Sequence, residues 1–346
     1  MTVIRVRGRA LPSGEQVDLY ADGDRWTPDP VAGADLIEGW LLPGLVDAHT
    51  HPGAEQIADP MDEKILRDDL HRHVDSGVTL IRSPGLPGDP PPWFGHDPDV
   101  PRAVHAGPWI ARHGEFFDGW GRRADPDGLP DLAAAQAARS GWAKIIADWR
   151  DADDHVPVAV LREIVARVHA VGGRVAVHSQ QRSGGAAAVE AGVDSLEHGM
   201  WLDPALLHRM AAQGTALTPT LAVMQAGVPI VSAREDYPAK RWYLDGVAAH
   251  PSLTAAAAEA GVTLLAGTDS RPHGTIAAEV RALAAAGVST HDALAAASWS
   301  ARAYLGMPGL EPGAPADAVV YAADPRTDLA QLDHPLAVIL RGVRVR

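Results

Sequence analysis

From about Val78 onward, short unbroken apolar runs alternate with Ala-rich stretches in which apolar residues recur three and four positions apart. A strand buried on both faces reads as a continuous apolar run, whereas the three-and-four spacing marks a helix with one buried face. Eight such runs are present, at 40–48, 78–83, 109–112, 143–147, 174–179, 195–198, 216–220 and 262–268. Between them lie helix-like segments, among them 62–76, 158–171, 184–191, 204–213, 277–286 and 290–305. Gly77, Gly172, Gly192, Gly214, Gly261 and Gly287 each follow such a segment, where a left-handed helix end favours glycine. Eight strands interleaved with helices predict an α/β fold, a TIM-like (β/α)8 barrel.

The two ends break this rhythm, being β-like and punctuated by Gly and Pro. They predict a small β-sandwich domain built from both chain ends, residues 1–42 and 308–346, flanking a barrel over 43–307. The stretches 84–101 and 116–130 read as long loops, and loops on the C-terminal face of such a barrel often line its active site.

Composition narrows the function. The chain has 346 residues, 46% of them hydrophobic and 21% charged. No apolar run approaches the ~18 residues that a membrane-spanning helix needs. The first residues alternate like a strand and lack the pattern of a secretory leader, so a cytoplasmic protein is expected. A net charge of −14 argues against nucleic acid as a partner and leaves a small-molecule substrate; a homo-oligomer is compatible with the sequence. With no cysteine, a transition metal must be held by some of the 16 His, by carboxylates or by a modified side chain. Only Lys64, Lys144 and Lys240 are lysines, so a lysine inside an apolar strand stands out.

His49 and His51 close the first run, and residues two apart on a strand point to the same side, so both imidazoles can face one ion. His178, His198 and Asp269 end the fifth, sixth and eighth runs, on the face where barrel enzymes carry their chemistry. Four strands each delivering a ligand-type residue at the same end predict a metal centre. Lys144 lies in Trp142-Ala-Lys-Ile-Ile, where a buried ammonium is costly unless it is paired or neutral. A neutral amine can add carbon dioxide to give a carbamate; the alternative is an ion pair with Asp148 or Asp151.

The segments Pro43-Gly-Leu-Val-Asp-Ala-His-Thr-His, Ala191-Gly-Val-Asp-Ser-Leu-Glu-His-Gly and Ala266-Gly-Thr-Asp-Ser resemble those of the amidohydrolase superfamily. Within it, the likeness is to the imidazolonepropionase-like branch, which includes metal-dependent Xaa-Pro dipeptidases with a carboxylated lysine. The resemblance implies two divalent metal ions, zinc first among the metals that such ligands accept. One ion is held by His49, His51 and Asp269 and the other by His178 and His198, with carboxylated Lys144 and a hydroxide bridging them. Asp269, Lys144 and His198 are then the expected catalytic groups. Asp269 takes the proton of the attacking water and delivers it to the leaving amine. The expected reaction is hydrolysis of an amide, peptide or cyclic-amide C–N bond, as in a Xaa-Pro dipeptidase or an N-acyl amino acid hydrolase. The alternatives are a one-metal deaminase using His49, His51, His178 and Asp269, a lactone or carbamate hydrolase, and a ligand-binding barrel without catalysis. Arg112, His113, Trp120, Arg122, Tyr237 and His273 fall near strand ends or in long loops and are the candidate substrate contacts. His96, His105, His155 and His291 are expected to be structural or exposed.

Overall fold

The computed structural model describes residues 3–117, 119–149 and 155–346. Its centre is a ring of parallel strands. Leu45–Asp47 pairs with Val78–Ser83, which pairs with Arg102–His105, and a parallel bridge from His105 to Gly141 leads to Trp142–Ile146. From there Arg174–Ser179, Ser195–His198 and Ala216–Thr218 follow side by side. Segment 262–268 closes the ring: Leu217 N donates to Thr263 O, Leu265 N to Leu217 O, and Ala48 N to Ala266 O.

Seven of the eight strands are where the apolar runs lie, and the third differs. Arg102–His105 is only half-buried at every position and has no apolar run to betray it. The run expected at 109–112 is its displaced continuation: after Gly107 and Pro108, Ile110–Arg112 pairs further along, with Ile145 and with Arg122–Ala124. Proline cannot donate a ladder hydrogen bond, so the strand breaks there and resumes. The stretch 116–130, expected as loop, thus contributes one short edge strand.

The helices follow the sequence pattern in most places. Asp62 caps Glu63–Asp75 by accepting from Lys64 N and Ile65 N, and Gly192 and Gly214 end their helices in left-handed backbone. The single helix expected over 290–305 is two, Thr290–Ala296 and Trp299–Tyr304, because Ser298 leaves helical geometry and its hydroxyl donates to Pro43 O. Three further helices lie outside the expected segments: Leu129–Ser140, which begins at the end of the stretch expected as loop, and Leu221–Ser232 and Pro238–Glu259, which carry internal prolines. Among the described residues no helix is long and apolar enough to cross a membrane.

The chain ends meet in one continuous seven-stranded sheet, where the sequence suggested a two-layer sandwich. Asp35–Pro43 sits in the middle, parallel to Ile4–Ala10 and antiparallel to Ala318–Tyr321, so the termini join edge to edge. Alternation along Ala318–Tyr321 serves both sides. Val320 packs with Val6, Leu41 and Ile339 in the sheet's own core, while Val319 and Tyr321 join the large core around the barrel.

Candidate functional site

The C-terminal strand ends surround a chamber of about 570 Å³, within the range of small-molecule sites. His49, His51, Lys144, His178, His198 and Asp269 all line it. His49 Nε2 and His51 Nε2 are 3.2 Å apart, and Asp269 Oδ1 lies 3.3 Å from His51 Nε2 and 3.8 Å from His49 Nε2. Candidate ligand atoms of His49, His51 and Asp269 all fall within 4.8 Å of one another. The His198 ring sits between those of His49 and His178, with centroids 5.0 Å and 4.7 Å away.

Strand pairing sets this convergence. Asp269 N donates to His49 O, and Gly267 allows the first and eighth segments to approach so closely that a Cβ there would lie 2.5 Å from His49 Cβ. His198 and Asp269 adopt left-handed backbone, as do Phe116 and Thr220 beside them. Non-glycine residues held this way concentrate at functional sites, where surrounding structure offsets the strain.

The far sides of the rings are already occupied. His49 Nδ1 donates to Glu197 Oε2 at 2.7 Å, and His51 Nδ1 donates to Gly85 O. In the neutral rings both Nε2 atoms therefore carry bare lone pairs, and these face each other at 3.2 Å. Such an arrangement is repulsive by itself and becomes attractive around a cation, so the donor set fits a divalent metal. Burial keeps the rings neutral, lowering His49 to about 4 and His178 to about 3, and His198 well below the usual imidazole range. Burial raises the Asp269 carboxyl, whereas positive charge on the ligand side, such as His49 and His51 carry when protonated, draws it below the ordinary carboxylate range.

Lys144 is 2% exposed. Burial lowers its amine to about 8, partly countered by Glu197. Its expected alternative partner Asp148 instead accepts from Ser179 Oγ at 2.6 Å and from Gln180 N, while Asp151 lies outside the described residues. Beneath His49 the barrel axis holds a buried ion pair: Arg82 Nη2 donates to both oxygens of Glu197 at 2.8 Å and lies 3.1 Å from Thr218 Oγ1, while Nη1 donates to Ser195 Oγ and Nε to Ala48 O. Burial would push Glu197 up, yet Arg82 and Lys144 hold it well below the usual carboxylate range.

Residues 40–345 match the Amidohydrolase family. The chain belongs to the amidohydrolase family. An uncharacterized protein of Mycobacterium tuberculosis is 39% identical over 98% of this chain and 95% of its own length. Among solved structures, a putative prolidase from Bifidobacterium longum superposes with a TM-score of 0.81 at 26% identity, over 99% of this chain and 94% of that one. The Aspergillus niger ochratoxinase superposes with a TM-score of 0.82 at 20% identity, over 100% and 96%. Prolidase-like amidohydrolases are thus strong structural neighbours of this enzyme.

The amidohydrolase chamber takes in only two of the six residues expected to touch substrate, Trp120 and His273. Arg112 turns away to stack on Trp149 at 3.6 Å and to pair with Glu115, and Arg122 pairs with Asp89 at the surface. His113 and Tyr237 are exposed outside the chamber, because proximity to a strand end in sequence does not fix side-chain direction. His273 accepts or donates at Thr50 Oγ1, 3.0 Å away, and nears Asp69 at 3.4 Å.

Three groups escaped the sequence reading. Arg82 and Glu197 are charged residues inside strands buried on both faces, the same signal that singled out Lys144. Arg271, two residues past Asp269, borders the chamber and donates to His51 O at 3.0 Å.

Proposed function

We propose that this amidohydrolase cleaves an amide-type carbon–nitrogen bond of a small molecule with the help of bound divalent metal, zinc first. The observation that carries the reading is the pair of bare Nε2 atoms of His49 and His51 facing each other beside Asp269. His49, His51 and Asp269 would hold one ion, and His178 and His198 a second. When bound, such ions supply Lewis acidity, polarising a carbonyl and making water acidic near neutral pH.

The chain's own groups then divide the work. Asp269, anionic and at the chamber wall, accepts a proton from the attacking water and passes it to the leaving nitrogen. Glu197 fixes the His49 tautomer so that Nε2 stays unprotonated. Lys144, with its amine lowered to about 8, has a neutral fraction that could add carbon dioxide, the nitrogen losing one proton and becoming an anionic carbamate that would serve as a further metal ligand.

A second reading has one observation in its favour: among the described residues the tight cluster consists of His49, His51 and Asp269, which suits a single ion. Metal analysis separates the two. Two equivalents of zinc per chain, with activity lost in Lys144→Ala and restored by small carboxylic acids, support the two-ion centre. One equivalent, with Lys144→Ala fully active, establishes the single-ion reading. A metal-loaded protein that hydrolyses no member of a panel of N-acyl amino acids, dipeptides, cyclic amides and lactones would sink both.

A further inference from the structure

Opposite the imidazoles the chamber is aromatic. Trp109 packs against Phe116 and Trp120 with ring centroids 5.2 Å and 5.0 Å apart, and Phe117 meets Phe116 at 4.6 Å. This surface begins directly at the ligand side, since Phe116 lies edge-on to His178 at 4.8 Å and Trp109 edge-on to His51 at 5.8 Å. It continues to the rim through Ile57 and Phe117, which are 52% and 45% exposed. Large apolar side chains left wet at the mouth of a cavity are costly unless a ligand covers them.

The chamber also has one guanidinium among its described residues, Arg271. Its Nη2 donates to His51 O at 3.0 Å and its Nη1 lies 3.4 Å from Asp69 Oδ2. Arginine has five N–H donors in a planar fork that matches a carboxylate. Those two bonds leave three donors without a partner among the described residues, on a side chain 34% exposed. Lys144 is the other cation of the lining, and it is buried beside Glu197 and Asp269. Glu55, at the rim, disfavours a second anion there.

Resting on the amide-hydrolase reading, we infer that the substrate is an N-acylated amino acid with an aromatic or large branched side chain and a free carboxylate. The side chain covers Trp109, Phe116 and Phe117, and the carboxylate meets Arg271. Water adds to the acyl carbon and the carbon–nitrogen bond breaks. A carboxylic acid and a free amino acid leave, the nitrogen having gained the proton that water lost. A small side chain leaves the aromatic surface hydrated, and a blocked carboxylate leaves Arg271 without its partner.

The test is acetate release by the zinc-loaded protein from four compounds: N-acetylphenylalanine, N-acetylalanine and the C-terminal N-methylamide of each. Each change, from phenylalanyl to alanyl or from carboxylate to methylamide, should lower kcat/KM about 10- to 100-fold. Phe117→Ala, at a position 45% exposed, should shrink the side-chain preference and spare the carboxylate preference. Arg271→Gln should do the reverse. Equal rates on all four compounds would overturn the substrate class while leaving an amide hydrolase. So would turnover of dipeptides, cyclic amides or lactones with none of the four. No hydrolysis of any compound would instead remove the reading on which this inference rests.

Discussion

The two sides of the chamber are built in opposite ways. The ligand side stands on strand ends and is supported from underneath by a chain of buried hydrogen bonds: His49 on Glu197, Glu197 on Arg82, Arg82 on Ser195 and Thr218. The aromatic side stands on the loops around Ile57 and Phe116, where rings pack on rings and two large apolar groups meet solvent. The barrel therefore holds the imidazoles through buried hydrogen bonds, and the loops shape the surface that faces them. Substitutions should separate along the same line. Changes beneath the ligands should cost metal, stability or turnover, and changes in the rings should cost substrate binding.

The largest effect is expected at Glu197. Glu197→Gln keeps an oxygen for His49 Nδ1 but leaves the buried Arg82 guanidinium without its counter-charge, and uncompensated buried charge costs about 3–5 kcal/mol. Zinc affinity should fall about 10- to 100-fold through the loosened imidazole. Isothermal titration with zinc and urea unfolding read the two effects separately. Unchanged zinc affinity would show that the ligand side does not depend on its support.

Next comes Asp269→Asn. It keeps shape and one oxygen while removing the proton acceptor, and kcat should drop about 10²- to 10⁴-fold, the usual span for a lost general base. Zinc content by mass spectrometry should stay within a factor of two. A variant turning over as fast as the parent would take Asp269 out of the reaction.

Glu279 probes the helix behind Val223 and Ala226, which line the chamber. Its buried carboxyl accepts from Leu221 N and Ala222 N at the start of that helix, and burial raises it from 4.5 to about 7. A folded-state value above the unfolded one favours the protonated form. The contribution is complete below pH 4.5 and is lost as pH rises through about 7. At 1.36 kcal/mol per unit this amounts to about 3 kcal/mol. Glu279→Gln cannot titrate and forfeits one backbone hydrogen bond at every pH. It should thus be clearly less stable than the parent at pH 4.5, with the gap narrowing by about 3 kcal/mol by pH 8. Urea unfolding at both values checks this, and a gap that stays constant refutes the titration.

What the sequence disclosed follows the same division. The convergence of His49, His51, Lys144, His178, His198 and Asp269 on one chamber was legible because most of them end apolar runs, a one-dimensional signal that carries directly into a parallel barrel. The half-buried third strand gave no such run, and only Gly107 and Pro108 mark where it breaks. Four of the six expected substrate contacts lie outside the chamber lining because a loop's path, not its residues, decides what reaches the chamber. Arg112 and Arg122 have the right chemistry and turn toward Trp149 and Asp89 instead. Arg82 and Glu197 were readable in principle, as charges where a doubly buried strand tolerates none without a partner.

The smallest effect is expected at Trp120, whose indole N–H donates to Asp59 O and so ties the two rim loops together. Trp120→Phe keeps a ring against Trp109 and removes that tie. The carbonyl loses its donor and a buried ring becomes smaller, so stability should fall by about 1–2 kcal/mol. KM for an aromatic N-acyl amino acid should rise a few-fold as the loops loosen, while kcat and zinc content stay as they are. A split of that kind belongs to a surface that binds substrate and transition state alike. If kcat fell instead by the factor expected of Asp269→Asn, the rings would be holding the ligands in place, and the two sides of the chamber would be one mechanical unit.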